Sequence, residues 1–182
     1  MTVVYVFIHS SEFLYLFKDQ FAKDSMNLNV QWNGFEIWIG ALFILSTIIG
    51  TIFYLKGKII KGTASLVIGA TITLTALQLF VIPKIEQHTQ GAMISFCEEV
   101  ANQDCYIETY GFKSYAHYFY ARTPNHDNIK SKELNWLING AIDKKVYIIT
   151  KTTNTSLNNH PNIQFIERRG GFKFYTRDIG QE

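Results

Sequence analysis

The sequence has little charge, and two long stretches of it have none. Charged residues make up 18% of the 182 residues and hydrophobic residues 47%, whereas soluble globular proteins carry about 25% charged residues. No charged residue follows Glu36 before Lys56, and none lies between Lys61 and Lys84. Neither stretch has the polar stripe that a surface helix of a soluble domain needs. The pattern therefore disfavours a wholly water-soluble chain.

The two apolar stretches run from Phe35 to Leu55 and from Gly62 to Ile82. Each is about 20 residues long, the length at which an α-helix crosses roughly 30 Å of hydrocarbon. A buried helical hairpin in a soluble core is the alternative, but two adjacent uncharged runs of this length are rare in such cores. The sequence predicts a transmembrane hairpin in contact with membrane lipid, with Pro83 ending the second span.

Small residues recur at helical spacing within the two spans. They are Ser46 and Gly50 in the first span and Ser65, Gly69 and Thr73 in the second. This pattern lets helix backbones approach closely in lipid. It indicates packing either onto further membrane helices or of the two spans on each other.

Basic residues form no long block, and the formal net charge is only +2. This argues against a nucleic-acid partner. Three lysines, Lys56, Lys58 and Lys61, lie in the short connection between the spans, which has no acidic residue. The positive-inside rule places such a connection in the cytoplasm. The residues before Phe35 and after Ile82 are then predicted to be extracytoplasmic.

Cysteine is scarce as well, with only Cys97 and Cys105. In an oxidising compartment a disulfide between them is one alternative, and a pair of unlinked, part-buried thiols is the other. The 5 histidines are scattered, and none lies at ligand spacing from a cysteine or a carboxylate pair. We therefore predict no metal site, and no cofactor motif is recognisable.

These patterns divide the chain into three segments. Residues 1–34 are predicted to form an N-terminal interfacial or partial membrane segment, which includes an exposed connection over Phe21–Asn33. Residues 35–82 hold the two spans and their short loop. Residues 83–182 are long enough for one small domain with its own core.

The domain is predicted to have a small α+β (mixed α/β) fold with about four strands. One strand alternates in polarity, another is a short continuous apolar run typical of a buried central strand, and two flank Gly170-Gly171, which predicts a tight hairpin. The predicted strands are Cys105–Tyr110, Val146–Thr150, Ile163–Arg168 and Phe172–Arg177. The predicted helices are Lys84–Asn102, Phe112–Arg122 and Lys132–Asn139, the last with Ser131 as its N-cap.

One cluster, Glu108–Arg122, is dense in groups that bind ligands. Lys113 and His117 share a helix face at (i, i+4) spacing, and Tyr110 and Tyr120 lie near the ends of that helix. On a functional interpretation, these four residues form a cationic, aromatic shelf for a phosphate or a sugar. The structural alternative leaves Lys113 and His117 in solvent and buries Phe112, Tyr115, Ala116 and Phe119. No nucleophile motif or Gly-rich phosphate loop is present, so no catalytic residue is predicted.

Several motifs resemble the C-terminal part of bacterial membrane glycosyltransferases of the dolichyl-phosphate-mannose protein mannosyltransferase and aminoarabinose transferase type. The longest is Tyr106–Tyr120, with the sequence YIETYGFKSYAHYFY. The others are Asn29–Gly34 (NVQWNG), Asn135–Gly140 (NWLING), Val146–Lys151 (VYIITK) and Gly170–Tyr175 (GGFKFY). The resemblance covers most of the chain.

The resemblance implies a protein of the bacterial inner membrane whose C-terminal domain faces the periplasm or the outside. Enzymes of this type have many membrane helices and move a sugar from a polyprenyl-phosphate carrier to an extracytoplasmic acceptor. Their acidic catalytic residues lie in an outward loop after the first membrane helix. This chain has no counterpart to that loop, so the resemblance carries over no catalytic residue.

We therefore expect a truncated or split portion of such a transferase, inactive alone. Its partners would be the polyprenyl-phosphate sugar and the remaining helices or a partner subunit. The alternative is a stand-alone membrane-anchored scaffold or binding protein for a glycan or a lipid phosphate.

Overall fold

The computed structural model describes residues 5–7, 9, 12, 14–122 and 128–180. Part of the predicted N-terminal segment, and part of the polar loop before residue 130, therefore lie outside the described residues. The chain divides into two compact units: Met1–Tyr15 with Asn29–Gln87, and Leu16–Leu28 with His88–Glu182. The first unit holds the two long apolar helices, and the second holds an α+β domain.

The elements are numbered in chain order. The helices are α1 (Gln20–Met26), α2 (Glu36–Leu55), α3 (Ile59–Ala76), α4 (Ile82–Thr89), α5 (Gly91–Glu99), α6 (Ala116–Tyr120) and α7 (Leu134–Asn139). The strands are β1 (Cys105–Tyr110), β2 (Lys145–Lys151), β3 (Gln164–Arg169) and β4 (Phe172–Arg177). Short 3₁₀ turns occupy Leu14–Leu16 and Ile129–Lys132, and a π-helical turn occupies Leu77–Val81.

Two helices of the first unit are long and apolar enough to cross a membrane. They are Glu36–Leu55, with 20 residues, and the continuous helix Ile59–Thr89, with 31 residues. Only 17% of the most apolar window of each is buried inside the protein. A buried helix of a soluble core would hide most of these side chains. The prediction of two membrane-length helices is confirmed.

Pro83 lies within the second long helix, which runs on beyond the predicted end of the span. The π-helical turn Leu77–Val81 precedes it, and the Ile82 N–H donates to the carbonyl of Leu77. In a regular α-helix, the proline ring would clash with the carbonyl four residues earlier, and a wider turn relieves this clash. The helix continues to Thr89, and α5 follows as a separate helix. The predicted helix Lys84–Asn102 is therefore two helices.

α2 and α3 pack on each other through small residues. A Cβ atom added to Gly69 would lie 2.2 Å from the Cβ of Ser46. The Ser65 hydroxyl donates to the backbone carbonyl of Ser46 at 3.1 Å. Of the two interpretations of the small-residue pattern, packing of the two spans on each other is the one that the structure shows.

The start of α2 is joined to α4 by an ion pair between Glu36 and Lys84. Glu36 is 1% exposed, and its carboxylate also accepts a hydrogen bond from the Asn33 N–H at 3.4 Å. The Lys84 ammonium lies 5.4 Å from the centroid of the Trp32 ring. Pairing of the two charges reduces the cost of burying them at this end of the helices.

The second unit is built on a four-stranded sheet with the order β1-β2-β4-β3. β1 and β2 are parallel, and the other neighbouring pairs are antiparallel. Gly170, in the turn between β3 and β4, has φ of +55°, as the predicted Gly-Gly hairpin requires. The predicted α+β domain with four strands is confirmed.

Both faces of the sheet are covered, and β2 is buried on each side. One face of β2 presents Tyr147 and Ile149 to α5 and α6, and the other presents Val146 and Ile148 to α7. Because both faces of β2 are covered, successive residues all need apolar side chains. This explains the continuous apolar run from which a central strand was predicted.

Three local predictions in the second unit were wrong. Residues 20–26 form α1 rather than part of an exposed connection, because Asp19 caps this helix by accepting from the Phe21 N–H at 3.0 Å. Ser131 caps no helix, since it lies in the 3₁₀ turn that Asn128 caps. The predicted helix Phe112–Arg122 is only α6, because Gly111 has φ of +78° and starts a loop that runs to Tyr115.

Gly69→Ala should destabilise the hairpin by about 1–3 kcal/mol, because the added methyl group overpacks the contact with Ser46. The check is thermal unfolding in detergent micelles, followed by circular dichroism. The matched control is Ile68→Ala, next to it on α3, where the side chain is 59% exposed and we expect a change within about 0.5 kcal/mol. Equal melting temperatures for Gly69→Ala and the unmodified chain would contradict the close packing.

Candidate functional site

A cavity of about 490 Å³ lies between the end of β1 and the loop that leads to α6. This volume falls within the range of roughly 300–1,000 Å³ found for ligand pockets. The residues that line the cavity are Glu108, Thr109, Gly111, Phe112, Lys113, Ser114, Tyr115, His117, Tyr118 and Leu134. All but Leu134 belong to the single segment Tyr106–Tyr120.

The acidic group of the cavity is Glu108 on β1, whose side chain is 12% exposed. The Tyr118 hydroxyl donates to Oε1 of Glu108 at 2.5 Å. The Nε2 atom of His117 lies 3.6 Å from Oε2 of Glu108, within ion-pair range but beyond hydrogen-bond distance. Burial raises the pKa of the Glu108 carboxyl, but His117 and Tyr118 outweigh that effect and hold the pKa below its usual range. Glu108 is therefore a fixed negative charge at neutral pH.

Tyr118 keeps its proton in this arrangement. Burial and the Glu108 carboxylate both raise the pKa of the Tyr118 hydroxyl. The phenol is therefore a permanent hydrogen-bond donor to Glu108, and its ring is 47% exposed.

His117 is buried, so the structural alternative, which leaves it in solvent, was wrong for this residue. The side chain is 2% exposed, and its ring packs on Tyr118 with the centroids 3.9 Å apart. Within the described part of the chain, neither ring nitrogen has a hydrogen-bond partner. His117 therefore acts on the cavity through its contacts with Glu108 and Tyr118, rather than by presenting a nitrogen to solvent.

The cation of the cavity is Lys113, which lies in the loop before α6 rather than on the helix. It is exposed, and it has neither an ion pair nor a hydrogen bond with any residue that the structure describes. Its ammonium group is free to meet a ligand. Two residues farther along, Tyr115 is 78% exposed and presents an aromatic ring at the cavity.

The other two predicted binding residues do not line the cavity. Tyr110 packs against the core cluster that contains Leu137, and Tyr120 packs against the cluster on the opposite face of the sheet. Of the four residues that the sequence singled out, the structure brings Lys113 and His117 into one cavity. Phe112 and Ala116 are partly buried, as the structural alternative required, but Tyr115 and Phe119 are exposed.

Sequence reasoning missed the roles of Glu108 and Tyr118. Glu108 is the only acid in β1, whose other residues are uncharged. An ionisable group in a strand with a mostly buried pattern usually has a specific partner. That signal was available in the sequence, whereas the partner, Tyr118, depends on where α6 begins.

Cys97 and Cys105 are free thiols. Both are buried in one core cluster, Cys97 on α5 and Cys105 at the start of β1. Burial raises the pKa of Cys97 to about 12 and that of Cys105 to about 11. The second alternative, unlinked thiols, is the arrangement in the structure. Within the described ranges, no group of three or more His, Cys, Asp or Glu residues is placed to hold a metal ion.

Comparisons with known proteins identify no relative of the chain. No protein-family model, curated protein or solved structure matches it. The resemblance to membrane glycosyltransferases therefore stays a prediction from sequence motifs.

Acid should destabilise the second unit partly through Glu108. Because the pKa of this carboxyl is lowered in the folded state, the unfolded chain takes up a proton first as the pH falls below about 4.3. The stability contribution of Glu108 is thus present at neutral pH and lost on acidification. Glu108→Gln keeps an acceptor for Tyr118 but removes the charge, so its stability should depend less on pH.

Thermal unfolding from pH 7 down to about pH 2 in a nonionic detergent measures this difference, because the loss occurs below the unfolded-state pKa of about 4.3. Glu133→Gln is the matched control, because it removes an exposed carboxylate that caps no helix through its side chain. An unchanged pH dependence in Glu108→Gln would show that the carboxylate is not stabilised as described.

Proposed function

We propose that this chain is the membrane-anchored C-terminal portion of a glycosyltransferase that uses a polyprenyl-phosphate-linked sugar. One observation carries the proposal: the longest motif of the resemblance, Tyr106–Tyr120, is also the segment that builds the cavity. The two membrane-length helices agree with it, because a polyprenyl carrier is confined to the bilayer.

On this proposal the domain does not carry the sugar-transfer chemistry itself. The cavity offers Lys113 as a cation, Glu108 as a paired carboxylate and exposed aromatic rings, which are groups that bind and orient. The acidic residues that catalyse transfer in such enzymes would come from the remaining helices or a partner subunit. The domain would cover their active site or position the acceptor.

We also propose that the domain faces the periplasm or the outside of a bacterial inner membrane. Lys56, Lys58 and Lys61 lie at the tight turn between the two long helices. Gly57, with φ of +70°, makes this turn, and its N–H donates to the Tyr54 carbonyl at 2.9 Å. A short loop with three lysines and no acid favours the cytoplasmic side.

A second candidate function is a stand-alone membrane-anchored binding protein. The free ammonium group of Lys113 favours it, because a cavity with an unpaired cation can hold a ligand without any catalytic partner. The two candidates differ in whether the chain works together with a transferase.

The purified chain should transfer no sugar from a polyprenyl-phosphate-mannose donor, and transfer should appear when the catalytic helices are supplied.

An antibody against residues after Pro83 measures the size of the native polypeptide and shows which proteins co-purify with it. A band several-fold larger than 20.9 kDa, or a 20.9 kDa band that co-purifies with a transferase subunit, would support the first candidate. Transfer by the chain alone would contradict it, and a 20.9 kDa band without a transferase would favour the second.

Two variants with one added cysteine each test the orientation, because Cys97 and Cys105 are buried and should not react with the maleimide. Ile129→Cys places a thiol at a site that is 93% exposed in the second unit, and Lys58→Cys places one in the lysine loop. In cells with a permeabilised outer membrane and an intact inner membrane, a maleimide that cannot cross the inner membrane should label Ile129→Cys. It should label Lys58→Cys only after lysis. The reverse pattern would place the domain in the cytoplasm.

A further inference from the structure

The cavity holds one group of each charge and is not a purely cationic site. The Glu108 carboxylate and the Lys113 ammonium both line it. The carboxylate is held in place, because Tyr118 donates to one of its oxygens at 2.5 Å and His117 lies 3.6 Å from the other. Within the described residues, Lys113 has no anionic partner of its own. A ligand that contacts both groups therefore meets one negative and one positive charge, with a net charge near zero.

The presence of both charges favours a sugar over a phosphate, although a lysine with aromatic rings can bind either. A phosphate brought against Lys113 also meets the fixed charge of Glu108, and repulsion between like charges in a part-buried site is costly. The hydroxyl groups of a sugar both donate and accept hydrogen bonds. They can donate to the carboxylate and accept from the ammonium in the same site.

The aromatic rings supply the remaining part of a carbohydrate site. Tyr115 is 78% exposed and Tyr118 is 47% exposed, and their ring centroids lie 6.4 Å apart. Exposed tyrosine rings with a rigid apolar face and a polar tip cover ligand surface at little cost in conformational entropy. Their faces are suited to the C–H face of a sugar ring.

We propose that this cavity binds the uncharged ring of a carbohydrate rather than a phosphate group. The inference rests on the proposed function and narrows it, because the domain would hold the sugar of the donor or a glycan acceptor, and not the phosphate of the lipid carrier. Tyr115 stacks on the ring, and Glu108 and Lys113 bind its hydroxyls.

The experiment uses the full chain in a detergent that carries neither sugar nor phosphate groups. The probes are the methyl glycosides of mannose, glucose, galactose and arabinose, and, in a separate arm, inorganic phosphate. Saturation-transfer NMR and titration should show binding of at least one glycoside, and phosphate should not displace it. Tyr115→Ala should weaken that binding about fivefold, as the loss of one aromatic contact implies.

The matched control is Phe119→Ala, on α6 and 72% exposed but outside the cavity lining. It should leave glycoside binding unchanged, and Lys113→Gln should weaken it. Because Tyr115, Phe119 and Lys113 are exposed, these variants should keep the melting temperature of the unmodified chain. Phosphate binding without glycoside binding, no binding at all, or equal effects of Tyr115→Ala and Phe119→Ala would overturn the proposal.

The sugar site and the transferase proposal can fail separately. If the chain binds a glycoside but restores no sugar transfer when the catalytic helices are supplied, the sugar site is supported and the transferase proposal is contradicted. If the chain restores transfer but binds no glycoside, the transferase proposal is supported and the sugar site is contradicted.

Discussion

The exposed apolar surface of the two long helices is the constraint on which the rest of the structure depends. Side chains of α3 such as Val67 and Leu74 are 59% and 61% exposed within the protein. Soluble monomers rarely expose contiguous apolar patches larger than a few hundred Å², and each large apolar side chain gains about 1.5–3 kcal/mol when it leaves water. The helices satisfy their own backbone hydrogen bonds, as a membrane requires. Their small residues then form the contact between them, so that the large side chains face outward.

The cavity follows from the position of β1 at the edge of the sheet. Its inner neighbour β2 pairs with a strand on each side, whereas β1 is an edge strand, and the loop from Gly111 to Tyr115 leads from its end to α6. Glu108 can therefore reach Tyr118 and His117 on α6 and still line an open cavity.

Much of the fold could be predicted from the sequence, but less of the site. Three strands were recognisable from local patterns. Burial of β2 on both faces gives a continuous apolar run, and the Gly170-Gly171 pair marks the tight turn between β3 and β4. Pro83 within a helix depends on a compensating π-helical turn, which no local pattern indicates. The burial of His117 depends on where α6 starts, and this is set by Gly111 and the loop after it. Lys113 could be predicted to lie at the cavity because a lysine surrounded by aromatic residues is visible in the sequence.

The central claim is that membrane lipid, and not another protein surface, covers the two apolar helices. Washing membranes that contain the full chain with alkaline carbonate tests this most directly, because the treatment strips peripheral proteins and leaves those with helices across the bilayer. The chain should remain in the membrane pellet. Release into the supernatant would contradict the claim, and with it the proposals that depend on a membrane anchor.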